Sequence, residues 1–176
     1  MNFDMQFLLY VQENIRNPIL SDIFIPLTKS GDYGFIFIIS GLILLCFSRT
    51  RKTGIIFLSA LALNFILTNL IIKNIVMRAR PYEVIEQLSI LIAPPHGYSF
   101  PSAHTSSAFA CITTLYYTEK KVFPYTLIFA VLMGLSRIYV GVHYPSDVLF
   151  GAVVGIVSAY LIYKIYAYFY CKFDKN

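Results

Sequence analysis

The chain has 176 residues, 57% of them hydrophobic, and its mean hydropathy is +0.66. Soluble domains of this length are less apolar, so the composition excludes that class and predicts an integral membrane protein with a single domain over residues 1–176. The net charge of +5 does not require a nucleic-acid partner, because basic loops are usual in membrane proteins.

The first thirty residues predict amphipathic helices that lie in the membrane interface. Apolar residues recur at helical spacing over 3–15, while Asp4 and its polar neighbours fall largely on the other side. Pro18 starts a second apolar piece over 18–29, which is too short and too interrupted to cross a bilayer.

Five longer apolar stretches predict membrane-spanning helices, because about 20 apolar residues cross a bilayer core. They cover residues 33–48, 54–78, 101–118, 122–140 and 146–170. The predicted fold class is therefore all-α, a polytopic membrane helix bundle over residues 33–170.

Basic residues predict the orientation of these spans. The loops 49–52 and 120–121 and the tail with Lys172 and Lys175 fall on one side, which the positive-inside rule makes cytoplasmic. The protein is expected in the cell membrane, with the loops 79–101 and 141–147 on the outer side.

Cations near the predicted outer face form the first candidate site. In KNIVMRARP (73–81), Lys73 and Arg80 are seven residues apart, so a continuous helix would place them on one face, with Asn69 extending that polar stripe. Two interpretations remain open: the pair faces an anionic ligand, or it snorkels to the interface. Arg78 would point away from this pair and contact the interface or lipid headgroups.

The stretch PSAH (101–104) predicts a helix start that binds an anion. Pro101 suits the first turn of a helix, where its missing N–H costs nothing. The amides of Ser102, Ala103 and His104 would then point at a phosphate, and Ser102 would add a hydroxyl. Pro94, Pro95 and Gly97 predict an irregular loop that gives a ligand access.

The stretch SRIYVGVHYPSD (136–147) supplies a third group of polar residues. Arg137 ends the fourth predicted span, and His143 and Asp147 are four residues apart. An Asp that accepts one ring N–H leaves the other nitrogen free as a nucleophile. Asp147 also suits the first turn of a helix, and we expect both roles.

Together these three stretches resemble the signatures of the type 2 phosphatidic acid phosphatase superfamily, with Ala103 where the family pattern has Gly. The resemblance implies that His143 forms a phosphohistidine, that Asp147 orients it, and that His104 protonates the leaving group. It implies that the phosphate is bound by Lys73, Arg80, Ser102, Ala103 and Arg137. His96 is expected to be a surface residue.

No cofactor or metal is expected, since the cations supply positive charge and the sequence has no acidic cluster suited to Mg²⁺. Three dispersed cysteines, Cys46, Cys111 and Cys171, are interpreted as apolar fillers.

The partner is expected to be a lipid phosphate in the bilayer. Only one predicted outer loop has any length, residues 82–100, which favours a bare prenyl headgroup, undecaprenyl diphosphate above all, over phosphatidylglycerol phosphate or phosphatidic acid. Phosphotransfer to an alcohol, a vanadium haloperoxidase activity and an anion transporter are the alternatives.

Overall fold

The computed structural model describes residues 3–173, with side chains described for 3–169, and all regular structure there is helical, as predicted. The helices are α1 Phe3–Asn14, α2 Pro18–Ser30, α3 Phe35–Cys46, α4 Arg51–Phe65, α5 Lys73–Val76, α6 Pro81–Val84, α7 Ala103–Thr118, α8 Phe123–Tyr139 and α9 Pro145–Phe173. A 3₁₀ turn, Asp32–Gly34, joins α2 to α3, and a π-helical segment, Ile66–Ile72, joins α4 to α5. The side chains of Cys171, Lys172 and Lys175 lie outside the described part.

Within the described residues, two segments are long and apolar enough to cross a membrane, Arg51–Val84 and Pro145–Phe169. A third candidate is α2 together with α3, which are bent by 52° at Gly31–Gly34. From the sequence, residues 18–29 are predicted to lie in the membrane interface and not to take part in a span. Since α7 and α8 have 16 and 17 residues, fewer than the about 20 that a bilayer core requires, the five-span arrangement stays a prediction.

Close packing of α7 on α9 forms the centre of the bundle. Gly151 and Gly155, four residues apart, let the helices approach, as small residues do between membrane helices. A Cβ atom built on Gly155 would lie 2.2 Å from the carbonyl oxygen of Ser106, and one on Gly151 would lie 2.7 Å from that of Ser102.

Polar side chains join α4 and its π-helical extension to α7. Asn64 Nδ2 donates to Ser107 Oγ at 3.2 Å, and the Thr68 and Ser106 hydroxyls lie 3.2 Å apart. These groups are satisfied inside the bundle, which avoids the cost of an unpaired polar atom in an apolar environment.

Helix α4 runs antiparallel to α7, because Thr53 lies beside Glu119 and Asn64 beside Ser107, whereas α7 and α9 run parallel. Thr53 donates to Glu119 at 3.3 Å, which places the basic loops 49–52 and 120–121 at one end, as predicted. The other end carries residues 77–102 and 140–144. There, α1 packs through Leu8 and Val11 on an apolar cluster with the loop residues.

Candidate active site

His143 lies between α8 and α9, at the end of the bundle opposite the basic loops, and its side chain is only 2% exposed. Burial lowers the pKa of the His143 imidazole well below its usual range. Three nearby cations lower this pKa further: Arg137, Arg80 and Lys73. All three predicted cations therefore act electrostatically on the His143 ring and, like burial, favour its neutral form.

Asp147, in the first turn of α9, holds one edge of this imidazole. Its Oδ2 lies 3.4 Å from His143 Nδ1 and accepts the Tyr144 backbone N–H at 3.0 Å. Since a carboxylate only accepts, Nδ1 carries the proton, and Nε2 makes no hydrogen bond within the described part of the chain. Asp147 has both contacts that the sequence predicted, to the ring and to the start of α9.

Helix α7 begins later than predicted. Ser102, not a residue before Pro101, is the N-cap, and its Oγ accepts from Thr105 N–H at 3.4 Å. Pro101 precedes the cap and is not in the first turn. The first amides of the helix, Ala103 and His104, have no acceptor within it. Ser102 N–H donates to the Asp147 carbonyl at 3.0 Å, so these amides lie beside the start of α9.

Arg80 reaches the site by a different route from the predicted helical stripe. The helix ends at Val76, because Met77 is left-handed with φ 47°. Arg80 is 2% exposed and donates four hydrogen bonds to the carbonyls of His96, Gly97, Tyr98 and Val142. It therefore holds the loop over the site, while the His96 side chain is exposed, as expected.

Lys73 and Arg137 each keep a donor without a partner among the described residues. Lys73 follows the π-helical segment, so its backbone N–H donates to the carbonyl of Thr68, five residues earlier, and not to that of Asn69. The stripe predicted through Asn69 is therefore displaced, and the Lys73 ammonium makes no hydrogen bond to any described residue. Arg137 is 2% exposed and donates through Nη1 to Thr28, while its buried Nε has no partner among the described residues.

Arg78 does not snorkel, contrary to the sequence interpretation. Its Nη1 lies 2.6 Å from Asp147 Oδ1, and its Nη2 lies 2.8 Å from Asp4 Oδ2. Helical periodicity misplaced this side chain because the helix ends two residues earlier, at Val76.

Two acidic residues at the site were not predicted. Asp32, in the turn between α2 and α3, lies 3.1 Å from His104 Nε2, and Asp4 of α1 binds Arg78. Both acids lie at the end or at a break of an apolar segment, and this position could have marked them as candidate site residues from the sequence. Asp32 is 72 residues from His104 along the chain, and Asp4 is 74 residues from Arg78. The sequence alone therefore does not reveal which residues pair.

This arrangement suits transfer of a phosphoryl group. A neutral imidazole with a bare nitrogen can attack phosphorus, and a second histidine paired with a carboxylate can carry a proton. Fixed cations and helix amides stabilise the charge on the phosphoryl oxygens.

Comparison with known proteins identifies relatives that span most of this chain. Residues 53–171 match the sequence pattern of the PAP2 superfamily. An undecaprenyl-diphosphatase of Sulfolobus acidocaldarius is 34% identical over 70% of this chain and 60% of its own length. The undecaprenyl-diphosphatase BcrC of Bacillus subtilis is 30% identical over 85% of this chain and 76% of its own.

A solved structure supports the same fold. The transmembrane PAP2-type phosphatidylglycerolphosphate phosphatase from Bacillus subtilis has a TM-score of 0.76 and 26% identity, over 92% of this chain and 83% of that one. Together with the match over residues 53–171, this confirms the family predicted from the three sequence stretches, and the chain belongs to the PAP2 superfamily.

Proposed function

We propose that the protein is a membrane lipid phosphatase that acts through a phosphohistidine at His143. The observation that carries the proposal is the His143 ring, bound at Nδ1 by Asp147 and free at Nε2, with three cations around it. The names of the two sequence relatives and the structural relative, all phosphatases of lipid phosphates, support it.

The proposed reaction has two steps. The Nε2 lone pair of His143 attacks phosphorus, the bond from phosphorus to the leaving oxygen breaks, and His104 gives that oxygen its proton. Water then attacks the phosphohistidine, His104 takes a proton from the water, and inorganic phosphate leaves. Asp147 stabilises the positive charge on the His143 ring during attack.

The phosphoryl oxygens would be bound by the groups that retain free donors. The Lys73 ammonium makes no hydrogen bond to a described residue, and the Nε–H of Arg137 also has no partner there. Arg80 has five N–H groups. Four of them donate to carbonyls, so one remains for the phosphate. The Ser102 hydroxyl and the amides of Ala103 and His104 complete the proposed phosphate site.

An apolar groove of about 460 Å³ favours a lipid substrate. It lies among α3, α7 and α8, and its walls include Phe37, Ala108 and Ile112. Ala108 is one helical turn from His104, so a chain in this groove would begin close to the proposed general acid.

The substrate that we propose is undecaprenyl diphosphate, hydrolysed at the outer face of the cell membrane by a bundle of about five spans. Two relatives named for this activity support that choice. One loop of any length, residues 82–100, lies at the site and is held by Arg80, which leaves little protein to recognise a large headgroup. Phosphatidylglycerol phosphate is the second candidate, because the structural relative carries that name.

A direct comparison of substrates tests the assignment. kcat/KM would be measured for undecaprenyl diphosphate, phosphatidylglycerol phosphate and phosphatidic acid with purified protein in one detergent. We expect the prenyl diphosphate to be preferred. A tenfold preference for phosphatidylglycerol phosphate, about 1.4 kcal/mol at the transition state, would overturn it.

Trapping the intermediate tests the chemistry. Substrate labelled with ³²P should label the wild-type protein at an acid-labile, base-stable bond and should not label His143→Ala. Release of the label to water indicates hydrolysis, and release to an added alcohol indicates transfer. Full turnover by monodisperse His143→Ala would overturn the mechanism.

A further inference from the structure

We propose that Arg78 and Asp4 are positioning residues that hold the Asp147 carboxylate against His143, so that helix α1 completes the support of the nucleophile. This inference rests on the proposed function, and the experiments below separate the two.

The two oxygens of Asp147 have different partners. Oδ2 accepts from His143 and from the Tyr144 amide, and Oδ1 accepts from Arg78 Nη1 at 2.6 Å. The Asp147 side chain is fully buried. Without Arg78, Oδ1 would be a buried acceptor that lacks its charged partner, and rotation of the carboxylate would become easier.

Arg78 bridges two carboxylates. Its Nη1 binds Asp147 and the Ser146 hydroxyl, at 2.7 Å, while its Nη2 binds Asp4 at 2.8 Å. Its guanidinium carbon lies 3.8 Å from the centre of the Tyr144 ring. A planar guanidinium can make these contacts together, whereas a lysine ammonium is a single point charge without that fork.

Asp4 fixes this bridge from the other side. It accepts from the Ser146 N–H at 3.2 Å and from the Ser146 hydroxyl, at the start of α9. Burial raises the pKa of Asp4, but the hydrogen bonds from Ser146 and Arg78 outweigh it and hold the pKa below its usual range. Asp4 is therefore a carboxylate, which is favourable at the positive end of α9.

These contacts predict a specific kinetic effect. Both terminal nitrogens of Arg78 are bound to carboxylates, those of Asp147 and Asp4, and Arg78 is not among the groups assigned to the phosphate site above. Loss of Arg78 should therefore lower kcat and leave KM within a factor of about two, whereas loss of a phosphate-binding cation should raise KM. Loss of Asp4 should have a smaller effect in the same direction, because Asp4 acts through Arg78.

The kinetic test uses a C15 prenyl diphosphate in detergent micelles. We expect Arg78→Gln to lower kcat about 10–100-fold, as loss of an outer-shell partner does, and Arg78→Lys to recover part of it. Asp4→Asn should lower kcat less, and Asp4→Asn with Arg78→Gln should be no slower than Arg78→Gln alone. Arg49→Gln and Asp22→Asn, exposed residues of the same types, are the controls and should match wild type.

A second measurement is independent of activity. Replacing His96 and His104 by Gln leaves His143 as the only histidine, so ¹⁵N-histidine NMR reports its tautomer directly. We expect one tautomer, with the proton on Nδ1, and a mixture once Arg78→Gln is added. An unchanged tautomer together with unchanged kcat would overturn the inference.

Failure of the proposed function would look different. If the wild-type protein hydrolyses none of the lipid phosphates, the proposed phosphatase function is wrong. The NMR comparison would still decide whether Arg78 positions Asp147 and His143.

Discussion

The Nε2 atom of His104 lies 3.1 Å from the Oδ1 atom of Asp32. The imidazole is 14% exposed and the carboxylate 48%, so the pair lies at the surface of the site, whereas His143 and Asp147 lie inside it. A carboxylate at this position favours the protonated ring, the form that a general acid needs, and so opposes the burial that favours the neutral ring. The site thus has two histidine–aspartate pairs, one at the proposed nucleophile and one at the proposed proton donor and acceptor.

The first prediction concerns Asp32. Asp32→Asn removes the charge that stabilises protonated His104, so substrates whose leaving oxygen needs a proton should suffer most. We expect kcat/KM for a prenyl monophosphate to fall by about tenfold or more, since general acids contribute about 10²–10⁴ in rate. Hydrolysis of p-nitrophenyl phosphate, whose leaving group is stable as an anion, should change little.

Matched variants make this comparison sharper. In kcat/KM, which reports the steps up to formation of the phosphohistidine, His104→Gln should show the same selectivity between the two substrates, and Asp22→Asn, an exposed acid of α2, should show no loss on either. An equal loss on both substrates in Asp32→Asn would contradict a role in leaving-group protonation.

The second prediction concerns protonation of His143. Because burial and the surrounding cations lower its pKa, the ring should stay neutral as the pH falls below about 6.5, the value of an exposed histidine. In the variant that retains only His143, the ¹⁵N titration midpoint should lie below that of an unfolded histidine peptide. A midpoint at or above the peptide value would contradict the burial argument.

The lowered pKa of His143 also determines how the free energy of unfolding changes with pH. The unfolded chain takes up a proton at His143 near pH 6.5, and the folded chain does so only at lower pH. The contribution of His143 to stability is therefore present above pH 6.5 and is lost as the pH falls through and below that value.

The residues that meet at the candidate site are predictable from the sequence, but the contacts that support them are not. His143 and Asp147 were predictable because both their contacts are local, four and three residues apart along the chain. Arg80 was predicted as a site cation, but not its four carbonyl contacts, because Met77 breaks the helix on which the periodicity argument depended.

Long-range pairs explain the remaining gaps. Asp4 and Asp32 meet their partners more than 70 residues along the chain, and no spacing rule reaches that far. The start of α7 was misplaced because proline is common in the first turn of a helix, whereas Pro101 precedes the cap. The cap residue Ser102 donates its backbone N–H to the Asp147 carbonyl, a contact that spacing along the chain does not reveal.

The third prediction concerns metals and inhibitors. In the proposed site, Lys73, Arg80 and Arg137 supply the positive charge that a metal would bring, so turnover should survive dialysis against EDTA. Vanadate, which mimics a five-coordinate phosphoryl group, should compete with substrate. Lys73→Met should weaken vanadate binding, while the exposed control Lys120→Met should not. Loss of activity with EDTA that Mg²⁺ restores would contradict this account.

The fourth prediction concerns the packing of α7 on α9. A methyl group at residue 155 would clash with the Ser106 carbonyl and lie 2.8 Å from the Ala110 nitrogen. Overpacking of this kind costs about 1–3 kcal/mol, so Gly155→Ala should lower Tm in detergent. Val153→Ile adds one carbon on the same helix, at a side chain that is 56% exposed, and should not. Equal Tm values for the two variants would contradict the close helix contact.

The last prediction concerns the orientation of the site. The basic loops and the site lie at opposite ends of the bundle, and basic loops face the cytoplasm in most membrane proteins. His96 is exposed beside the site, and Lys120 is exposed in a basic loop. With the native cysteines replaced by serine, His96→Cys should react with an impermeant maleimide on intact cells, and Lys120→Cys should react only after the membrane is opened. His96 is preferable to Gly97 because the backbone at Gly97 has φ 73°, which a cysteine would strain. Labelling of Lys120→Cys alone on intact cells would place the site in the cytoplasm and would exclude hydrolysis of the lipid at the outer face.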